Sequence, residues 1–522
     1  MFSHSWRSLI EGRSHQVLER EVLPAFLAAS RWFADKGERF DAKLRTVLPI
    51  AEGDPGFALG IVEVSTASRT SHYALPLTIK WSRLDRAGGQ LQRHMLGPVR
   101  RGAREGVLID ASADRDFVAW LIAELHAEAR LDRAGRRLEF RPTRAFALSP
   151  LPAIEATHAV GTEQSNTTVI ADSAFVLKLY RRLERGIHSE IEIGRFLTET
   201  AGYQNAPALL GSIELVEDAV TTPIGVVHQF VENQGDAWSL TAAYLDRFLD
   251  EQKVLVSENA TESPEHAAYL PRMQQIGKRT AELQLALASG AEPDFAPEPI
   301  SADDLRGWTE ALAHEADRQF ELLARRRSDL PEPARIAAEA LLDHRSDALA
   351  RIRGLLPETV DAPKARHHGD FHLGQILIVK DDVFVLDFEG EPRRSAEERR
   401  RKMPAARDAA GLIRSIDYAT TAALGRVIPV SAEDHARLER ALEHWRERSI
   451  EAFLAAYHGV TGVAALWPEQ ETVGDRLLEF FKLEKLVYEI GYELTNRPDW
   501  VRVPLAAASR ILFPPPSAPE LP

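Results

Sequence analysis

The string HHGDFHLGQILIV places Asp370 after a His-Gly pair and Gln375 five residues later, and Asp387 follows in VLDFEGE. Between Gln375 and Asp387 the chain reads as a hairpin, with apolar Ile376 to Val379, polar Lys380-Asp381-Asp382, then apolar Val383 to Leu386. The returning strand brings Gln375 and Asp387 to one end of the hairpin, with Asp370 on the loop ahead of it. Two carboxylates and a carboxamide so arranged suit phosphoryl transfer. Asp370 would accept a hydroxyl proton, while the Gln375 amide oxygen and the Asp387 carboxylate would hold Mg²⁺ against phosphates. Either acid alone would read equally well as a cap or a strand end, so the grouping carries the reading. His367, His368 and His372 lack the spacing of a metal site and read as loop hydrogen-bonding groups.

Such chemistry also needs a cation near the phosphates. In FVLKLY, strand alternation puts Lys178 on one face with Val176 and Tyr180, where its ammonium would meet phosphate. A lysine on a packed face needs a partner, and Glu192 in HSEIEIGRFL is expected to supply it from the next helix. A surface lysine and a helix glutamate would look the same in sequence. No G-x-G-x-x-G precedes Lys178; the turn GTEQSN, with Gln164, Ser165 and Asn166, offers phosphate donors instead. It is equally what a polar hairpin tip contains. Gln229 and Val231, where VVHQFVENQGDAW leaves a strand, are expected to present backbone groups to a nucleotide base, although an ordinary linker reads alike.

In FKLEKLVYEIGYELTNRPDW, Lys485, Tyr488, Glu489 and Tyr492 fall at i, i+3, i+4 and i+7 of a helix and share a face. Aromatic rings beside charged groups suit a sugar, and they also suit a face packed in a core with satisfied hydroxyls. The Arg-rich segment Arg393 to Lys402 reads as a solvated mixed-charge surface.

These residues need elements to position them. Residues 1–110 start with a helical pattern, Val17 to Leu27, and continue in alternating stretches such as Gly60 to Val64 and His72 to Ile79, a small α+β unit. Residues 111–230 open with a helical connector, Ala113 to Asp132. Strand-like runs follow at Thr167 to Ile170, Ala174 to Tyr180 and Ile224 to Phe230, with a helix over Ser189 to Thr200 between them. Residues 231–522 are mainly helical, interrupted near Ser257 to Glu265 and by a Pro-rich loop from Ala291 to Ile300, and they end in the irregular FPPPSAPELP. No internal repeat is evident.

A chain of 522 residues is too long for one core. With 44% hydrophobic and 27% charged residues it has a globular balance. The net charge of -14 opposes nucleic-acid partners, whose phosphates need basic surfaces. The absence of cysteine excludes disulfides, thiolate metal sites and thiol nucleophiles. No stretch reads as a signal peptide or a membrane span, so a cytoplasmic protein without membrane partners is expected.

The sequence HGDFHLGQ, a strand and DFEGEP together resemble the catalytic loop and metal motif of maltokinases, a branch of the aminoglycoside-phosphotransferase-like kinases. The loop of that group runs H-G-D-x-x-x-x-N. Gln375 stands at the Asn position, as in the maltokinase branch, and keeps an amide oxygen on a longer arm. Further matches run along nearly the whole chain, at RWFADKG (Arg31 to Gly37), EQSNTTV (Glu163 to Val169), RTAELQLALA (Arg279 to Ala288), RDAAGLIRSIDYA (Arg407 to Ala419) and YELTNRPDW (Tyr492 to Trp500). Asp35 and Gln284 depart from the pattern, where glycine and histidine are usual, and both lie outside the loop.

The resemblance implies an α+β, bilobal protein-kinase-like fold with an N-terminal α+β cap subdomain and ATP·Mg²⁺ between the lobes. It implies transfer of the γ-phosphoryl group to maltose, giving maltose 1-phosphate. Asp370 would be the base, Gln375 and Asp387 the Mg²⁺ ligands, and His372 and Glu389 would join Lys485, Tyr488, Glu489 and Tyr492 around the acceptor. It also implies work beside trehalose synthase on a route from trehalose to α-glucan. A kinase for glucosamine or an aminoglycoside, and an inactive sugar-binding or scaffold module, are the alternatives. The intact Asp370, Gln375, Asp387 and Lys178 speak against the last.

Overall fold

Apolar alternation at period two builds most of the first of two compact units, which comprises residues 1–200 and 207–232. The computed structural model describes residues 6–9, 13–54, 56–81, 92–133, 135–160, 165–254, 266–427 and 431–512. Strands β1 (Asp41–Ala51), β2 (Phe57–Ser65), β3 (Thr70–Lys80), β4 (Met95–Arg101) and β5 (Arg104–Asp110) pair antiparallel in the order β1-β2-β3-β5-β4. Helix α1 (Leu23–Ala29) covers one face of this sheet with Phe26 and Leu27. Asp35 is buried there, accepting from Tyr73 Oη at 2.9 Å and from Arg69 Nε at 3.1 Å, so the departure from glycine is matched by its own partners.

The other face carries Leu48, Ile50 and Leu59, which share one core with Phe117, Leu121 and Leu125 of α2 (Arg115–His126). Helix α2 starts at Asp114, whose side chain accepts the Asp116 N–H. The expected connector is thus a core element, buried toward two sheets, and it stops at His126, where Glu128 turns the chain at φ 52°.

The second sheet holds β6 (Arg130–Arg133), β7 (Arg136–Pro142), β8 (Thr157–Ala159), β9 (Thr167–Ala171), β10 (Phe175–Leu179), β12 (Leu209–Glu217) and β13 (Val220–Gln229), in the order β6-β7-β12-β13-β10-β9-β8. The short β11 (Arg182–Leu183) joins β3 of the first sheet. In β10, Phe175, Leu177 and Leu179 are buried in the core shared with α2, which leaves Val176 and Lys178 on the opposite face. Helix α3 (Ser189–Phe196) packs on that side. Strand β12 does not show in the sequence pattern, because register shifts between Leu209 and Gly211 and between Ile213 and Glu214 break its alternation.

The second unit, residues 201–206 and 233–522, is mainly helical. It contains α4 (Ala237–Val254), α5 (Leu270–Leu287), α6 (Ala302–Arg326), α7 (Glu332–Asp343), α8 (Arg345–Leu355), the hairpin β14 (Ile376–Val379) and β15 (Asp382–Val385), then α9 (Ala406–Arg426), α10 (Ala432–His458), α11 (Glu471–Asn496) and α12 (Arg502–Leu512). Asn205 ties its short segment to β15, donating from Nδ2 to the Val383 carbonyl at 3.0 Å. Phe480, Leu483 and Leu486 of α11 form one core with α6, α7 and α9. Gln284 is buried and satisfied, donating to Ala405 O at 3.0 Å and accepting from Tyr457 Oη at 2.5 Å. Among the described residues no helix is long and apolar enough to cross a membrane. The stretches Gly161 to Gln164, Ser257 to Glu265 and Phe513 to Pro522 lie outside the described residues.

Candidate active site

The loop that carries Asp370 is short of regular structure, so its backbone groups need partners elsewhere. Asp408, in the first turn of α9, supplies them: its carboxylate accepts the N–H of His368 at 2.8 Å and of Gly369 at 3.0 Å. Gly369 sits at φ 87°, a conformation that favours glycine. Helix α9 comes so close that a Cβ on Gly411 would lie 2.7 Å from the Phe371 carbonyl, so only glycine fits there. His368 donates from Nε2 to the Leu386 carbonyl at 2.7 Å, and its Nδ1 accepts the Asp370 N–H at 3.3 Å. That pair of bonds places a ring proton on Nε2. The loop is thereby fastened to both α9 and the exit of the hairpin.

Asp370 Oδ1 lies 2.8 Å from Lys485 Nζ of α11, and the same ammonium meets Glu391 Oε1 at 2.9 Å. Burial works to raise the Asp370 carboxyl, but the Lys485 ammonium, aided by His372, outweighs it and holds the group below its ordinary range. Asp370 is therefore ionised at neutral pH. Lys485 in turn is held well above the usual lysine range, its burial outweighed by Asp370 and Glu391. Glu391 is backed by Arg394 Nε at 2.5 Å and Arg407 Nη2 at 3.3 Å. Arg407 also donates to Glu484 at 2.8 Å and to Nε2 of His367 at 2.8 Å. Burial, then Arg407 and Arg366, keeps His367 far below its ordinary value and neutral.

Gln375 and Asp387 meet at the root of the hairpin, where Gln375 Nε2 donates to Asp387 Oδ2 at 3.1 Å. The strands pair Ile376 with Val385 and Val379 with Asp382. Asp387 follows at φ 62°, a left-handed conformation that costs a non-glycine residue about 1 to 2 kcal/mol and that Asp tolerates better than most. One carboxylate and one carboxamide are hard oxygen donors of the kind Mg²⁺ takes, so the pair fits that ion.

Of the residues expected around the acceptor, His372 caps the turn Leu373–Gln375, its Nδ1 accepting the Gly374 N–H at 3.1 Å, which leaves Nε2–H as the donor end. Tyr488 and Tyr492 are half-buried and stacked, with ring centroids 6.3 Å apart and planes at 17°. Lys485 Nζ lies 4.9 Å from the Tyr488 ring. Glu389 is half-buried beside the buried Phe388. Glu489 does not share the open face. It is buried against α9, where Arg414 Nη2 reaches its Oε2 at 2.5 Å and Arg414 Nη1 reaches Asp417 at 2.7 Å. Its expected acceptor role is corrected to a core ion pair. An i+4 step adds about 40° of rotation, enough to carry it off the tyrosine edge.

In the first unit the lysine's partner is also corrected. Lys178 Nζ lies 3.1 Å from Glu190, not the expected Glu192. Two helix positions differ by about 200° of rotation, so only one of the two can point straight at the strand. Glu190 falls in the first turn of α3, is buried, and enjoys the positive helix end. Glu192 is half-buried on the same helix. Ser165 and Asn166 precede β9, and Gln164 lies outside the described residues. Gln229 ends β13 exposed, with its N–H donating to the Ala208 carbonyl at 2.9 Å, and half-buried Val231 follows beyond the strand.

Sequence reasoning missed Glu190, Glu391, Arg407 and Asp408. Glu391 and Asp408 sat in quoted motifs, DFEGEP and RDAAG, but their partners are distant in sequence.

A fastened loop carboxylate, an amide-carboxylate pair and a strand lysine held by a helix glutamate are the equipment of a phosphotransferase. Residues 156–467 match the phosphotransferase enzyme family and residues 26–114 match the maltokinase N-terminal cap domain. The first match covers more than half of the chain, which belongs to the phosphotransferase enzyme family. It is a kinase with an alcohol group as acceptor. The chain is 27% identical over 470 residues to a glucosamine kinase of Streptacidiphilus jiangxiensis, covering 88% of this chain and 89% of that protein. A glucosamine kinase of Mycolicibacterium smegmatis is 26% identical over 362 residues, 68% of this chain and 79% of its own. A glucosamine kinase crystal structure superposes with a TM-score of 0.62 at 21% identity, covering 96% of this chain and 100% of the other. That likeness bears on the fold, α+β and kinase-like with an N-terminal cap.

Proposed function

We propose that this kinase uses ATP to phosphorylate maltose on its anomeric hydroxyl, giving maltose 1-phosphate. The observation that carries the reading is Asp370, ionised on a fastened loop and joined through Lys485 to the Tyr488–Tyr492 face. Asp370 orients the hydroxyl and takes its proton as the oxygen attacks the γ-phosphorus and the bond to the ADP oxygen breaks. Lys178 is assigned to the phosphates, the backbone around Gln229 and Val231 to the base, and Ser165 and Asn166 to the phosphate turn. Gln375 and Asp387 are assigned to Mg²⁺, which would supply neutralising charge on the phosphates. The rest of the rate gain comes from positioning. The resemblance to maltokinases supports work beside trehalose synthase, between trehalose and α-glucan.

Two observations favour a neutral disaccharide. The cap match is to maltokinases. Within the second unit, Glu391, Glu484 and Glu489 are each bound by arginine or lysine, leaving none of these three to receive an acceptor's ammonium. The names of the two relatives favour glucosamine as the second reading. A panel of maltose, glucose, glucosamine and kanamycin, read by ADP release and by ³¹P NMR of the product, tests both. Maltose should show the highest kcat/KM and yield an anomeric phosphate. A higher kcat/KM for glucosamine would overturn the maltose assignment.

A further inference from the structure

Glu190 does more than face a lysine. Its carboxylate receives Lys178 at 3.2 Å on Oε1 and 3.1 Å on Oε2. Tyr180 donates its hydroxyl to Oε2 at 2.7 Å, and Nε2 of His228 stands 3.4 Å from Oε1. All four side chains belong to the first unit. Tyr180 follows β10 two residues after Lys178, on the same face by strand alternation. His228 is the cross-strand partner of Val176 on β13, which puts it on that face too. Tyr180 and Glu190 are each 3% exposed, and the tyrosine ring packs against His188, the N-cap of α3, with centroids 4.1 Å apart and planes tilted by 30°. The His228 contact is too poorly aligned to count as a hydrogen bond, and among the described residues neither of its ring nitrogens has another partner.

A lysine on a four-carbon stem is mobile, and a single flexible glutamate fixes it poorly. A phenol is rigid, with few torsions, and its hydroxyl approaches from the same strand that carries the lysine. The carboxylate is therefore gripped from β10 at two points, and its free rotation is removed before any phosphate arrives. We infer that Tyr180 is a positioning residue for the nucleotide phosphates, acting through Glu190 on Lys178, with His228 as a weaker third hold on the same carboxylate. The inference rests on the assignment of Lys178 to ATP.

The test measures binding of ATP and of adenosine, which lacks phosphates, to the full-length wild type, Tyr180→Phe, Lys178→Met and the double variant. The phenylalanine keeps the ring packed on His188 and deletes only the hydroxyl. Tyr180→Phe should weaken ATP about three- to tenfold, within the net range of one ordinary hydrogen bond because the effect is passed on through Glu190, and leave adenosine within about twofold. On the Lys178→Met background it should add almost nothing, because its effect passes through the lysine. Equal losses for ATP and adenosine, or full additivity in the double variant, would overturn the inference. If Lys178→Met loses ATP while Tyr180→Phe binds it as wild type does, the inference fails and the nucleotide assignment stands. If Lys178→Met itself binds ATP normally, both fall. Should Tyr180→Phe not fold, the same measurements on His228→Leu and His228→Gln decide. A two- to threefold ATP loss with leucine, rescued by the N–H of glutamine, supports the arrangement, and equal behaviour of the two variants refutes it.

Discussion

The charged clusters of the two units are built in opposite senses. In the first, one carboxylate, Glu190, is shared among a lysine, a phenol and an imidazole, and the group we assign to the reaction is the cation. In the second, one cation, Lys485, is shared between Asp370 and Glu391, with arginines behind, and the group we assign to the reaction is the anion. Their reach along the chain differs as much. Lys178 and Glu190 are 12 residues apart, whereas Lys485 is 115 residues from Asp370. A local cluster inherits its geometry from one strand and one helix. A distant one depends on a whole helical core to bring α11 to the loop.

The largest effect that would break this contrast is at Asp370. Asp370→Asn should lower kcat about a thousandfold or more, the upper range for a lost acid-base group, with ATP affinity within about twofold. Activity within tenfold of wild type would remove Asp370 from the reaction. Asp387→Asn comes next: loss of a charged ligand should raise the Mg²⁺ concentration for half-maximal rate about ten- to a hundredfold. An unchanged Mg²⁺ titration would count against it.

Two neighbours on α11 sharpen the comparison between open face and core. Tyr488→Ala should raise KM for maltose about tenfold, the size of a lost ring contact and hydrogen bond, with KM for ATP unchanged. Glu489→Gln should instead lower stability by about 3 kcal/mol, since it breaks a buried pair, and leave both KM values near normal. Melting temperature and both constants on each variant separate the cases. A destabilised Tyr488→Ala enzyme with normal maltose KM would return the tyrosine to the core.

The smallest effect expected at neutral pH belongs to Lys485→Met, a severalfold change in kcat. Lys485 is the main force holding the Asp370 carboxyl below its ordinary 3.8. Without it, burial and Glu391 both push upward, so the acid limb of kcat should move up by about one pH unit or more. A lowered carboxyl stabilises the fold above its ordinary pKa and loses that contribution as pH falls through the lowered value, so the variant should also lack this acid-side loss of stability. An acid limb that stays in place would show that Lys485 does not tune the base.

The loop of Asp370, the hairpin and β10 are legible as structure because each rests on local signals: turn residues, alternation and motif spacing. Sequence does not separate Glu190 from Glu192, because both acids lie in one helical turn and rotation about the helix axis is not given by spacing. Glu489 was misplaced because helical spacing groups residues into a stripe without saying where its buried edge falls; Arg414, 75 residues away, decides that. Asp408 carried no visible role because its partners are backbone N–H groups, which have no residue identity.

The core of the first unit has a consequence for how the family's parts change over time. Leu177 and Leu179, flanking Lys178, are buried in the same cluster as Leu48, Ile50 and Leu59 of the first sheet, with α2 between them. The cap is therefore bedding beneath the strand that carries Lys178. A cap with a different apolar surface would mismatch the underside of β10, so volume changes on one side of this core need compensating changes on the other.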